Sequence, residues 1–286
     1  MQFDERALAF ECRGDWLYGV ASVPRAACER GVLIVVGGPQ YRAGSHRQFT
    51  LLARSLAAQG IAAMRFDYRG MGDSGGDARD FDAVGDDLGA AIDQFIAAVP
   101  GMQQVVLWGL CDAASATLLY AAQDRRVAGL VLLNPWVRTE EGIARTTLKH
   151  YYRRRLMQPH LWRQVLSGRF DFVRSARAMV QLVREALGTR RGAGPAASSA
   201  AAPAPLPERM VAGLDQFGGK VLLILSGADL TAQEFSDMAG ASGKWKRLLG
   251  AARVTRHRLA QADHTFSRRA WRDQVANWTG EWVRSW

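Results

Sequence analysis

Val105-Val106-Leu107-Trp108-Gly109-Leu110-Cys111-Asp112-Ala113-Ala114-Ser115 is the stretch on which the reading of this chain turns. Its apolar, β-branched start predicts a strand, and the small residues after Asp112 predict a helix packed close against that strand. Between them stands Gly109-x-Cys111-x-Ala113, the pattern of a nucleophile elbow with sulfur in place of oxygen and alanine in place of the last glycine. A turn that tight demands small residues beside the nucleophile, because it is strained and the neighbouring strand passes close by. Gly109 and Ala113 both meet the demand. The rest of the sequence can then be tested for a base, an acid and an oxyanion hole to serve Cys111.

Upstream, Leu8–Cys12 and Trp16–Val23 are strand-like around Arg13-Gly14-Asp15 and predict a hairpin. Val32–Val36 is a continuous apolar run, expected of a strand buried on both faces, and it ends in Gly37-Gly38-Pro39-Gln40. A helix is expected from about His46 to Gln59, a strand over Ile61–Phe66, a glycine-rich turn over Asp67–Gly76 and a helix over Phe81–Val99. After the elbow, Val127–Leu133 reads as a strand ending in Asn134-Pro135-Trp136. Alternation then breaks, to resume with a strand at Lys220–Leu225, a helix after Asp229, a strand at Arg253–Leu259 and a closing helix at Ser267–Arg284. Strands alternating with helices imply an α/β fold with a mostly parallel sheet covered on both faces. The expected division is a core of residues 1–136 and 216–286, with a helical cap at 137–215. The Ala/Pro/Gly-rich run near 188–207 is expected to be a flexible loop, since it has almost no large apolar side chain to offset its ordering entropy.

Composition narrows the setting. The chain of 286 residues is 48% hydrophobic and carries a net charge of +10, enough apolar material for one large domain with an insertion. No apolar run reaches membrane-span length, and Met1-Gln2-Phe3-Asp4-Glu5-Arg6 does not open a secretory signal, so a cytoplasmic protein is expected. Cysteines at 12, 28 and 111 have neither metal-ligand nor disulfide spacing and read as reduced thiols. No cofactor is expected: the turn Asp67–Gly76 lacks the lysine of a phosphate-binding loop. Residues 137–191 hold thirteen Lys/Arg against four acids. That run is either a solvated face or a surface for an anionic substrate, with peripheral membrane association left open. No aromatic-interleaved motif accompanies it, so nucleic acid is not an expected partner.

Three residues fall just past predicted strand ends, where α/β sheets bind ligands: Cys111, Asp229 and His264. His264 is the candidate base, and Asp229 is the acid that holds its tautomer. Asp263 and Glu234 compete with Asp229, but Asp263 adjoins His264 in sequence and is poorly placed to buttress it. The other acid position, after Val127–Leu133, holds Asn134. The expected oxyanion donors are the backbone N–H groups of Asp112 and Gln40, because Pro39 has none to offer. Ser115 has no elbow of its own. Tyr41, Trp136, Tyr151 and Tyr152 are candidates to line an acyl pocket, with core packing as the alternative for the cap aromatics.

With this order of nucleophile, acid and histidine, the chain resembles the α/β-hydrolase fold over nearly its whole length. Gly37-Gly38-Pro39-Gln40-Tyr41-Arg42-Ala43-Gly44-Ser45-His46-Arg47, Asp67-Tyr68-Arg69-Gly70-Met71-Gly72-Asp73-Ser74 and Trp108–Ser115 resemble, more narrowly, the exosortase A system-associated hydrolase, type 1. That resemblance implies a hydrolase working beside exopolysaccharide biosynthesis in Gram-negative bacteria. The pattern departs from many hydrolases at Gly37-Gly38, where they carry His-Gly. A cysteine elbow is also similar to those of polyhydroxyalkanoate synthases, which transfer acyl groups, and of dienelactone hydrolases, which hydrolyse. The expected function is hydrolysis of an ester or thioester, from a small-molecule or acyl-carrier substrate, through a covalent acyl-enzyme. The alternatives are acyl transfer onto a polysaccharide precursor or carrier, and a decayed hydrolase serving as a scaffold.

Overall fold

A computed structural model describes residues 2–26, 28–38, 40–137 and 204–286. The basic segment, Tyr151, Tyr152 and nearly all of the expected cap lie outside these residues.

An eight-stranded sheet organises the chain, in the order β1-β2-β4-β3-β5-β6-β7-β8. β1 (Phe3–Cys12) and β2 (Asp15–Pro24) are the expected hairpin, paired antiparallel in full register from Phe3↔Pro24 to Cys12↔Asp15. β2 also runs antiparallel to β4 (Ala63–Asp67), and from there every pairing is parallel. β3 (Arg30–Val35), β5 (Gln104–Leu110), β6 (Val127–Leu133) and β7 (Lys220–Ser226) form the centre, and β8 (Val254–Leu259) the far edge. The apolar runs of β3 and β6 are buried almost throughout, as strands covered on both faces must be.

The helices α1 (Gln48–Ala58), α2 (Gly85–Ala98), α3 (Asp112–Tyr120), α4 (Leu206–Gln216), α5 (Leu230–Ala241), α6 (Gly243–Leu249) and α7 (Arg269–Arg284) connect and close the strands. The helix expected over Phe81–Val99 is interrupted. A single 3-10 turn covers Phe81–Ala83, and α2 begins only at Gly85. Ala113 to Leu118 in α3 are all buried, because their small side chains let the helix lie close to the sheet. One compact unit comprises Met1–Val137 and Pro207–Trp286, so α4 from Pro207 onward belongs to it.

Two features of this core position the site. The strand order reverses at β3, whose neighbours are β4 on one side and β5 on the other. Loops leaving the carboxyl ends of β3 and β5 therefore meet at a topological switch point. Below them, Phe49 packs edge-on against Trp108 with ring centroids 5.8 Å apart, fixing α1 against β5.

Candidate active site

Cys111 follows β5 at φ 62°, ψ −123°, a conformation that residues other than glycine seldom adopt. The turn is held by hydrogen bonds on both sides of it. Cys111 N–H donates to Leu133 O at 2.9 Å, while Cys111 O accepts from Ala114, Ser115 and Trp136 N–H groups. A Cβ at Gly109 would stand 2.6 Å from the backbone carbon and oxygen of Ala113, which is why glycine is required there. Ser115 is fully buried and donates to Trp136 O at 2.6 Å, which makes it a brace for the elbow.

His264 and Asp229 come from the loops after β8 and β7. Asp229 caps α5, its Oδ2 accepting from Ala232 N–H at 3.0 Å, and the same oxygen lies 2.9 Å from His264 Nδ1. Asp229 is 8% exposed. Burial opposes its ionisation, but the bond to His264, the imidazolium charge and the N–H groups of Ala232 and Thr231 outweigh it and hold its carboxyl below the usual range. His264 is raised to about 10, first by the bond to Asp229, second by the neighbouring Cys111 sulfur, and against the opposing effect of burial. With Nδ1 committed to Asp229, the other ring nitrogen is left for Cys111.

Asp263, one of the rival acids, is engaged elsewhere. Asp263 accepts both the N–H and the hydroxyl of Ser267, capping the turn before α7. Asn134, fully buried at the end of β6, donates from Nδ2 to Ser226 Oγ at 2.8 Å and to His264 O at 3.0 Å, and its Oδ1 accepts from Ser226 N–H at 2.8 Å. In the sequence Asn134 marks only the absence of an acid after β6. It is the cross-link among the loops after β6, β7 and β8.

The loop after β3 corrects the assignment of Gln40 as an oxyanion donor. Gln40 N–H donates to Gly38 O at 2.8 Å within its own tight turn. The N–H that reaches the elbow is that of Gly38, at φ 56°, and it donates to Asp112 Oδ2 at 2.6 Å. Asp112 Oδ1 accepts from Ala113 N–H at 3.0 Å. The loop itself is tied down by Arg42, which pairs with the fully buried Asp67 and, at 2.8 Å, with Asp73. Arg42 N–H also donates to Asp67 Oδ1 at 2.7 Å. Tyr41 is 44% exposed and donates its hydroxyl to Asp73 at 2.7 Å. Trp136 is half-buried beside the elbow.

Cys12, Cys28 and Cys111 are free thiols. Among the described residues no cluster of His, Cys, Asp and Glu is arranged to hold a metal ion, and no helix is long and apolar enough to cross a membrane.

Comparison with known proteins agrees with this fold. A family model described as Serine aminopeptidase, S33, matches residues 28–264. No curated protein matches the chain. Among solved structures, an esterase from Pyrococcus furiosus is similar with a TM-score of 0.66 at 13% identity, over 99% of this chain and 93% of its own. A dienelactone hydrolase from Anabaena variabilis gives a TM-score of 0.61 at 16% identity, over 99% and 98%. A Xanthomonas campestris protein described as an α/β serine hydrolase without lid gives 0.57 at 18%, over 100% and 98%. At these identities the likeness is one of fold.

Proposed function

Since the chain belongs to the Serine aminopeptidase, S33, family of α/β-fold hydrolases, we propose that it cleaves an ester or thioester by covalent catalysis, with Cys111 taking the place of the family's serine. The observation that carries this reading is the 2.9 Å bond between His264 Nδ1 and Asp229 Oδ2, in an imidazole whose second partner is Cys111.

The chemistry follows from the charge state. His264 keeps its proton at neutral pH, so its first act is to serve as an acid. With the thiol's proton held on His264, Cys111 Sγ attacks the acyl carbon, the carbonyl oxygen takes the negative charge, and the bond to the leaving group breaks as His264 passes that proton to it. Neutral His264 then removes a proton from water, the resulting hydroxide attacks the thioester, and Sγ departs as thiolate beside the re-formed imidazolium. Asp229 keeps the ring in one tautomer and stabilises its charge through both steps. The resemblance of the Gly37–Arg47, Asp67–Ser74 and Trp108–Ser115 motifs to exosortase A system-associated hydrolases supports an acyl substrate drawn from exopolysaccharide assembly.

Intact-protein mass spectrometry after brief exposure to an activated aryl ester and to an acyl thioester tests the reading. An acyl adduct on the wild-type protein is expected, absent in Cys111→Ala and slow to form in His264→Ala. Release of the adduct to an added alcohol faster than to water would instead identify a transferase. A folded wild-type protein that forms no adduct with either reagent would refute covalent catalysis.

A further inference from the structure

The steps above leave the Asp112 side chain without a role, yet it occupies the most consequential place in the site. Its carboxylate is gripped by the N–H groups of Gly38 and Ala113, at 2.6 Å and 3.0 Å, and by its own N–H. These donors sit at the end of β3 and the N-terminus of α3, where fixed dipoles stabilise negative charge. They are the groups that the carbonyl oxygen of an acyl substrate must reach once Sγ attacks.

Space has been left for this carboxylate. A Cβ on residue 37 would lie 2.1 Å from Asp112 Oδ1, so no side chain can stand at Gly37 while Asp112 holds its position. The glycine found where many hydrolases carry histidine thus has a physical partner at the start of α3. Burial pushes the Asp112 carboxyl above the ordinary range, against the pull of the N–H groups and of the His264 charge. Its anionic form is therefore held less firmly than three donors alone would suggest.

We propose that Asp112 is a resident anion of the oxyanion hole, which an acyl carbonyl has to displace before Cys111 can be acylated. The inference rests on the acyl chemistry proposed for Cys111. It makes Asp112 a specificity-determining residue: weakly bound or anionic acyl groups fail to dislodge it, and substrates anchored elsewhere succeed.

The test compares two reactions of the same sulfur in wild type, Asp112→Ala and Asp112→Asn. Acylation of Cys111 by p-nitrophenyl acetate creates an oxyanion, whereas alkylation by iodoacetamide creates none and reports that the elbow is folded. Alanine retains the backbone N–H at residue 112 and frees all three donors. It is expected to acylate at least about tenfold faster, given the worth of a single oxyanion donor. Asparagine, close in shape and uncharged, should fall between alanine and wild type, and alkylation should change less than about threefold across the set. Acylation in Asp112→Ala that is no faster than wild type, with alkylation retained, would overturn the proposal and leave the hydrolase reading standing. If none of the three proteins is acylated while all are alkylated, the hydrolase reading falls and the gate falls with it.

Discussion

Asn134 holds the backbone of His264 from the end of a different strand, donating through Nδ2 to His264 O at 3.0 Å. Because the same side chain also exchanges two hydrogen bonds with Ser226, the loops after β6, β7 and β8 share one anchor. Asn134 also sits at φ 44°, a conformation that asparagine tolerates better than most residues.

Replacing it is therefore expected to cost both stability and position. Asn134→Ala strands the buried Ser226 N–H and the His264 carbonyl and puts at φ 44° a residue that tolerates that conformation less well than asparagine. The cost should be about 2–3 kcal/mol, a fall in Tm of roughly 5–10 °C. Thermal unfolding and acylation rate check it together; a variant with wild-type Tm and rate would show that the cross-link carries no weight.

Asp229→Asn removes the largest cause of the raised His264 titration. The imidazole should then titrate well below the value of about 10 that it has in the wild type. Turnover should fall by about 10² to 10⁴, since an amide can hold the wrong tautomer. Imidazole titration followed by NMR reads the first effect directly. An unmoved titration would mean that Asp229 does not set the charge on the ring.

Alkaline pH is expected to remove the stability that His264 contributes. Its folded-state value of about 10 lies above the reference value of 6.5, so the folded protein binds this proton more tightly than the unfolded chain. The contribution is complete below pH 6.5 and disappears as pH rises through about 10. The Tm difference between wild type and His264→Gln should accordingly shrink from pH 6 to pH 10. A difference that grows over that interval would reverse the assigned sign.

Gly109→Ala probes the elbow itself. The new Cβ meets backbone atoms of Ala113 at 2.6 Å, and backbone cannot rotate aside as a side chain can. Overpacking of this kind costs about 1–3 kcal/mol and should displace Cys111. Iodoacetamide labelling of Cys111 slower than wild type by more than about tenfold is the expected readout, in line with losses from small misplacements at reacting centres. Unchanged labelling would show that the turn can relax.

Much of the architecture was readable from local pattern. Val127–Leu133 was bounded to the residue, and the hairpin around Arg13-Gly14 was recognised with strands shorter than the observed Phe3–Cys12 and Asp15–Pro24. The first half of β1 is mostly exposed, so hydrophobic pattern could not report it; its pairing depends on β2. The strand expected from Ile61 begins at Ala63, where the ladder to Val32 starts. That boundary is set by register, not by composition. The positioning role of Asn134 leaves no local trace, because its partners, Ser226 and His264, lie 92 and 130 residues away.

The sequence by itself determined the α/β class, the elbow at Cys111 and the order Cys111, Asp229, His264. Buried strands, tight turns and helix starts impose their demands on neighbouring residues, and those demands are visible in the chain. Only the tertiary structure decided which N–H groups face the elbow. The missing N–H of Pro39 points to Gln40, yet Gln40 turns its own N–H back onto Gly38 O, and Gly38 faces Asp112 instead. The reason is physical: β3 and β5 lie side by side though Gly38 and Asp112 are 74 residues apart. What fills the space between two loops at a switch point depends on that juxtaposition, which no local pattern records.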